Sequence, residues 1–261
     1  MSPQYTSTAP NTVAFSLNRY ATAVVALALS VMSCLPAAEA AVELDPADRP
    51  SSLSGSYLAG RSADMSNDID AALAYLTYTL EADRGNPVLG DRVLSLQIAA
   101  GEIERALDLA ERLTITDPDN PTARIVLAAS AIKNGRYALA KQELENVRKS
   151  PLTTLTSGLL RAWADQGLGR TDEALTSITA LTGPTWYAVF KDFHRALIAD
   201  AAGRNNEADA AITATYENEN VPPVGIVDAY ARMKARSDDR EEALRALNKL
   251  SGGAAKSPVI E

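Results

Sequence analysis

Apolar residues along most of the chain recur at intervals of three and four, the spacing that lines side chains up on one face of an α-helix. Leu107, Leu109, Ala110 and Leu113 form one such stripe, and Leu139, Leu144 and Val147 form another. Nowhere do β-branched residues gather into the alternating runs that mark a half-buried strand. Between the stripes stand helix-breaking segments: Gly85-Asn-Pro87, Asp117-Pro-Asp-Asn-Pro121, Ser150-Pro151, Gly183-Pro184 and Pro222-Pro223. The pattern predicts an all-α protein built from many short helices.

These helices come in a repeating order. The alanines of DIDAALAY, ERALDLA, ALAKQEL, DEALTSI, EADAAI and EEALRAL align at Ala72, Ala106, Ala140, Ala174, Ala208 and Ala243. Four successive spacings are 34 residues and the last is 35. Five residues before each alanine stand Asn67, Gly101, Gly135, Gly169, Gly203 and Asp238. Residues of this kind accept the left-handed backbone that ends a helix. Each unit therefore reads as a hairpin: helix A, a turn at the Gly, Asn or Asp, then helix B. The early alanine of helix B lets the two helices approach closely. A lone hairpin cannot bury its stripe, so neighbouring units must stack and cover one another.

This pattern resembles the tetratricopeptide (TPR) family. GEIERALDLAERLTITDPDNP, residues 101–121, matches the second half of the family's repeat, with Gly between the helices, Ala early in helix B and Pro after it. The resemblance covers residues 53–250, about six units, and implies a right-handed α-solenoid of TPR-like hairpins. Helix A departs from the family: its usual large aromatic is replaced by Ser56, Arg124 and Gly158 at the aligned positions. More loosely, Gly55-Ser-Tyr-Leu-Ala-Gly-Arg61 resembles the start of exported TPR proteins of alphaproteobacteria.

The resemblance also implies where a ligand sits. In such arrays helix A lines a concave groove and helix B covers the convex back. The family's phase turns Tyr57, Arg61, Asp91, Ser95, Ile125, Ala129, Leu159, Trp163, Phe193, Leu197, Asp228 and Arg232 towards that groove. Its middle would be apolar and its ends charged, a combination suited to an amphipathic helix or an extended peptide. A second reading stays open in units four and five. There the stripe Leu155, Leu159, Trp163 and Phe190, Phe193, Leu197 becomes ordinary core if helix A is rotated. Without that rotation, the inward positions hold Arg161, Asp165, Asp192 and Arg195, and unpaired charges are seldom buried.

Composition narrows the function. Of 261 residues, 46% are hydrophobic and only 5% aromatic, a balance that favours helix. The formal net charge of −8 disfavours phosphate backbones and anionic lipid surfaces, so nucleic acid is not an expected partner. Ala21–Leu35 is a run of fifteen residues without charge, preceded by Arg19 and followed by Ala38-Glu39-Ala40. It reads as a secretory signal cleaved between Ala40 and Ala41, being short of the roughly 20 residues a membrane span needs. An uncleaved inner-membrane anchor and a buried core helix remain alternatives. So does lipidation of Cys34, the only cysteine, within Val31-Met32-Ser33-Cys34. Membrane contact is expected only for the anchor or the lipidated form. The layout is thus a signal at 1–40, a linker at 41–52, the repeat domain at 53–250 and a tail at 251–261.

No catalytic, cofactor or metal constellation stands out. His194 is the only histidine, and there is no P-loop, no GxGxxG and no HExxH. Asp117-Pro-Asp119-Asn120 lacks the Gly and Glu that complete a calcium loop and reads as a turn. Asp68, Asp70, Asp238, Asp239, Glu241 and Glu242 stand at helix starts, where they complement the helix dipole. Trp163 and Trp186 read as packing residues. The expected function is a non-enzymatic scaffold in the periplasm or outside the cell that binds a protein or peptide. The alternative is an accessory subunit or fragment of an enzyme system whose catalytic domain lies on another chain. After Leu250 the chain reads SGGAAKSPVIE, with no polar helix to cap the last hairpin, which points to self-association, to packing of a partner, or to a chain shorter than its relatives.

Overall fold

The computed structural model describes residues 52–219 and 221–253; the leader, its cleavage site at Ala40–Ala41, Cys34, the linker up to residue 51 and the tail after Gly253 lie outside them. Among the described residues there are twelve helices and no strand. They are α1 (Leu53–Met65), α2 (Ile69–Ala82), α3 (Pro87–Ala99), α4 (Ile103–Thr116), α5 (Pro121–Lys133), α6 (Tyr137–Glu145), α7 (Pro151–Gly167), α8 (Thr171–Ala180), α9 (Tyr187–Ala201), α10 (Asn205–Asn218), α11 (Val224–Arg236) and α12 (Arg240–Gly253). Odd-numbered helices are the A helices of six hairpins and even-numbered ones the B helices. The last helix runs three residues past the predicted end of the repeat domain.

The hairpin turns follow the sequence phase at every unit. Asn67, Gly101, Gly135, Gly169, Gly203 and Asp238 all have positive φ, between 58° and 78°, and no other described residue does. The residue after each donates its N–H to the carbonyl five positions back, at 2.8–3.0 Å in all six turns. This is the Schellman closure, which satisfies a carbonyl that the end of helix A leaves free. The phased alanines are all at most 5% exposed, at the crossing of A and B.

The starts of the A helices are equally local. Asn86, Asn120 and Ser150 are N-caps whose side chains accept from Leu89, Ala123 and Thr153 N–H, and each is followed by Pro at the first helical position. The Asn side chains also donate to Asp83 and Asp117, at 2.9 and 3.2 Å. Among the acidic helix starts, Asp68 accepts from Ala71 N–H at 3.1 Å and Asp239 from Glu242 N–H at 3.2 Å.

Where the family's aromatic is missing, other residues take up its space. A Cβ on Gly158 would stand 2.5 Å from Leu181 of the turn after α8, and one on Gly90 would stand 2.6 Å from Leu113 of α4. Leucines reaching across from the helix B side thus fill the volume. Ser56 is fully buried and donates its hydroxyl to the Tyr75 carbonyl at 3.0 Å. Arg124 donates to the Pro118 carbonyl at 2.7 Å and pairs with Glu143.

Neighbouring units share apolar clusters, and the series Leu76, Ala110, Leu144, Ile178 and Ile212 is buried at each inner junction. Its sixth member, Leu247 on α12, is 43% exposed, because no described helix follows to cover it. Ion pairs stitch units together: Arg92 to Asp64, Lys141 to Asp165 at 2.6 Å, Arg204 to Asp172 at 2.6 Å and Arg236 to Asp200. Among the described residues, no helix is long and apolar enough to cross a membrane.

Candidate interaction surfaces

The twelve residues that the family phase turns inward divide into three groups. Tyr57 and Arg61 on α1 and Arg232 on α11 are exposed. Asp91 and Ser95 on α3, Ile125 and Ala129 on α5, Leu197 on α9 and Asp228 on α11 are half-buried. Leu159, Trp163 and Phe193 are buried and belong to the core, so they do not line an open floor.

The packing explains this correction. Leu155, Leu159 and Trp163 of α7 cluster with Ile178 of α8 and with Tyr187 and Ile198 of α9. The four charged residues at the family's inward positions in these units have ion-pair partners, although Asp165 stays buried and Arg195 Nε is enclosed without a hydrogen bond. Asp165 is held by Lys141, Arg161 lies 3.6 Å from Glu145, and Arg195 lies 3.5 Å from Asp192. Trp163 Nε1–H donates to His194 Nδ1 at 2.9 Å, fixing α7 against α9. Burial pushes the His194 pKa down to about 4, so the ring is neutral at pH 7 and Nδ1 acts as an acceptor.

What remains open at this end is an aromatic pair that the stripe only half revealed. Trp186 and Phe190 are 42% and 44% exposed and meet edge to face with centroids 6.0 Å apart. Phe190 shares the stripe of Phe193 and Leu197 but lies in the first turn of α9, where it stays open. Tyr187 between them is buried, its hydroxyl donating to the Pro151 carbonyl at the start of α7. That bond holds the first turn of α9 against that of α7. Trp186, read from sequence as a packing residue, therefore has an exposed face.

The charged residues expected at the two ends of the groove have different local support. Arg232 pairs with Asp228 one turn away at 2.7 Å, an exposed contact of small energetic weight. On α3, Ser95 donates to the Asp91 carbonyl at 2.9 Å, while Asp91 Oδ1 is enclosed without a hydrogen-bond partner. The Asp117–Asn120 turn is occupied by the protein itself. Arg148 bonds to both Asp117 and Asp119, which holds the Asp119 carboxyl below the usual carboxylate range, and Asn120 caps α5. No group of three or more potential metal ligands is found among the described residues.

Comparison with known proteins agrees with this geometry. The tetratricopeptide repeat profile matches residues 97–151. A tetratricopeptide repeat protein from Parabacteroides merdae ATCC 43184, 20% identical, superposes with a TM-score of 0.66 over 82% of this chain and 84% of that one. PilW, a type IV pilus biogenesis factor, is 11% identical and superposes with a TM-score of 0.59 over 81% of this chain and 98% of that one. No curated protein sequence matches the chain. The chain thus carries a tetratricopeptide repeat within an all-α solenoid, a fold typical of protein–protein interaction scaffolds.

Proposed function

We propose that this protein is a non-enzymatic scaffold, exported to the bacterial cell envelope, that holds a partner polypeptide against the exposed faces of its A helices. The observation that carries the reading is the Trp186–Phe190 pair, two large aromatics left half in water on a rigid repeat array. Aromatic anchors of this kind supply much of the energy at protein interfaces, where the surrounding polar rim sets register. Tyr57 and Arg61 on α1 and Asp228 and Arg232 on α11 are further exposed or half-buried polar positions on the A helices for such a partner. Leu244 and Leu247 on α12 form a second apolar face, for a partner or for another copy of the chain. Export rests on the leader pattern, with a charge-free run ahead of Ala38-Glu39-Ala40.

Binding is tested by affinity capture from envelope extract with the wild-type chain and with Phe190→Ala. The reading expects one reproducible partner whose recovery drops in the variant while the melting temperature falls by no more than a few degrees. Equal recovery by both proteins removes the aromatic pair from the interface. Export is tested separately by N-terminal sequencing of the native protein: a start at Ala41 supports cleavage, and a start at Met1 rejects it.

A further inference from the structure

The first five hairpins are each covered on their forward side by helix A of the next unit, and the sixth has no such cover among the described residues. Leu76, Ala110, Leu144, Ile178 and Ile212 are at most 3% exposed at this position, whereas Leu247 on α12 is 43% exposed. Leu244, three residues earlier, is half exposed. At the phase of Leu244, Lys141 and Asp209 pair with Asp165 and Lys234 of the following helix A. This side of α12 therefore faces the place that a seventh helix A would take.

The sequence after α12 keeps the phase of a junction. Asn67 and Pro87 are 20 residues apart, as are Gly101 and Pro121, and the same interval leads from Asp238 to Pro258. Four residues separate α2 from α3 and α4 from α5, and four separate the end of α12 at Gly253 from Pro258. Asn86 and Asn120 stand before the two earlier prolines and cap α3 and α5 with their side chains; Ser150 does the same ahead of Pro151. Ser257 stands before Pro258, so Ser257-Pro258-Val259-Ile260 is a helix-start sequence. Leu76 and Leu89 are 13 residues apart, as are Ala110 and Ala123, and each pair shares an apolar cluster across its junction. Leu247 and Ile260 are also 13 apart.

We propose that residues 257–261 dock on α12 as the first turn of a seventh helix A, laying Ile260 against Leu247 and capping the array with the chain's own tail. The established junctions of units one and two are the template for this contact. The tether at Gly253 also keeps Ile260 at high effective concentration beside α12. A second copy docking through its first unit is the poorer cover. It would bring Gly55 and Ser62 to the positions where unit two buries Leu89 and Leu96. Leu58, exposed on the same helix, holds the phase of Arg92, which reaches the preceding helix A through Asp64 and not a helix B. One turn covers less of α12 than a whole helix A does, so the cap opens and closes, and a larger apolar occupant displaces it. The inference is independent of what the Trp186–Phe190 pair binds.

The test is methyl NMR on the full chain, labelled at Ile and Leu. A cross-peak between the Ile260 and Leu247 methyls is expected. Ile260→Asp alters only the tail and should abolish docking without touching the fold. The Leu244 and Leu247 methyl signals should then move to the positions they take in a chain ending at Gly253. Ser257→Ala, which removes the cap of the turn, should move them part of the way. Absence of the cross-peak, with Leu244 and Leu247 signals identical in the wild type and Ile260→Asp, overturns the proposal and leaves α12 open to other occupants. A cross-peak that forms between separately Ile-labelled and Leu-labelled copies overturns it in favour of tail exchange between two chains.

Discussion

The indole N–H of Trp163 on α7 donates to Nδ1 of His194 on α9, 31 residues away, at 2.9 Å. The only histidine in the chain is thereby used as a partly buried acceptor that couples two successive A helices. A protonated Nδ1 could not accept this bond, so the contact requires the neutral ring.

A pH dependence follows, with a definite sign. His194 has its pKa lowered from 6.5 to about 4 by burial, so the unfolded chain takes up a proton that the folded chain refuses. The neutral-ring contribution is fully present above pH 6.5 and is lost as pH falls towards 4. It is worth at most about 3 kcal/mol, a sizeable part of a typical stability of roughly 5–15 kcal/mol. Asp64, held down by its hydrogen bond to Arg92, loses its contribution only at lower pH, below its ordinary value of 3.8. Thermal melting followed from pH 7.5 to 4.5 should decline for the wild type and decline less for His194→Gln. Parallel curves for the two proteins would remove His194 as the cause.

Trp163 itself is 6% exposed, so its truncation acts on the fold. Trp163→Ala should cost about 3–5 kcal/mol through the cavity it leaves. For an array of this size that lowers the melting temperature by on the order of 10 °C. Phe190→Ala, on an exposed side chain, should cost under about 1 kcal/mol. Calorimetry on the two variants distinguishes core from surface directly, and similar losses in both would contradict the division drawn between them.

The turn residues make a third prediction. Gly135 has φ of 70°, and a Cβ built there meets nothing within 4 Å, so a substitution is penalised by backbone conformation alone. Gly135→Val should destabilise by about 1–2 kcal/mol, the cost of left-handed backbone for an L-residue. Gly135→Asn should cost less, because Asn67 adopts φ of 58° at the same phase of unit one. Chemical denaturation of the two variants checks the order, and equal midpoints would argue against the turn geometry.

The fold was legible because its signals are local. A left-handed residue ends each helix A, and an alanine five residues later marks the close crossing. Both depend on backbone geometry within one hairpin, and all six units keep the phase. The surfaces were less legible because an A helix in a solenoid touches its own helix B, the preceding unit and the next A helix. A stripe with period 3.6 cannot say which of these faces is covered. Leu159 and Trp163 are enclosed by α8 and α9, residues far along the chain, whereas Phe190 stays open although Tyr187 in the same helical turn is buried.

The common register of the six hairpins is tested most directly by removing one full period. Deleting Glu102–Gly135, 34 residues, joins Gly101 to Arg136 and leaves every turn in phase. Circular dichroism at 222 nm should then show the wild-type helical signal per residue and a cooperative melt at lower temperature, as nearest-neighbour stacking requires. Deleting Glu102–Pro118, half that length, should lose helix because it brings the wrong faces together. Equal loss of helix in both deletions would contradict the register, and with it the solenoid on which the surfaces are built.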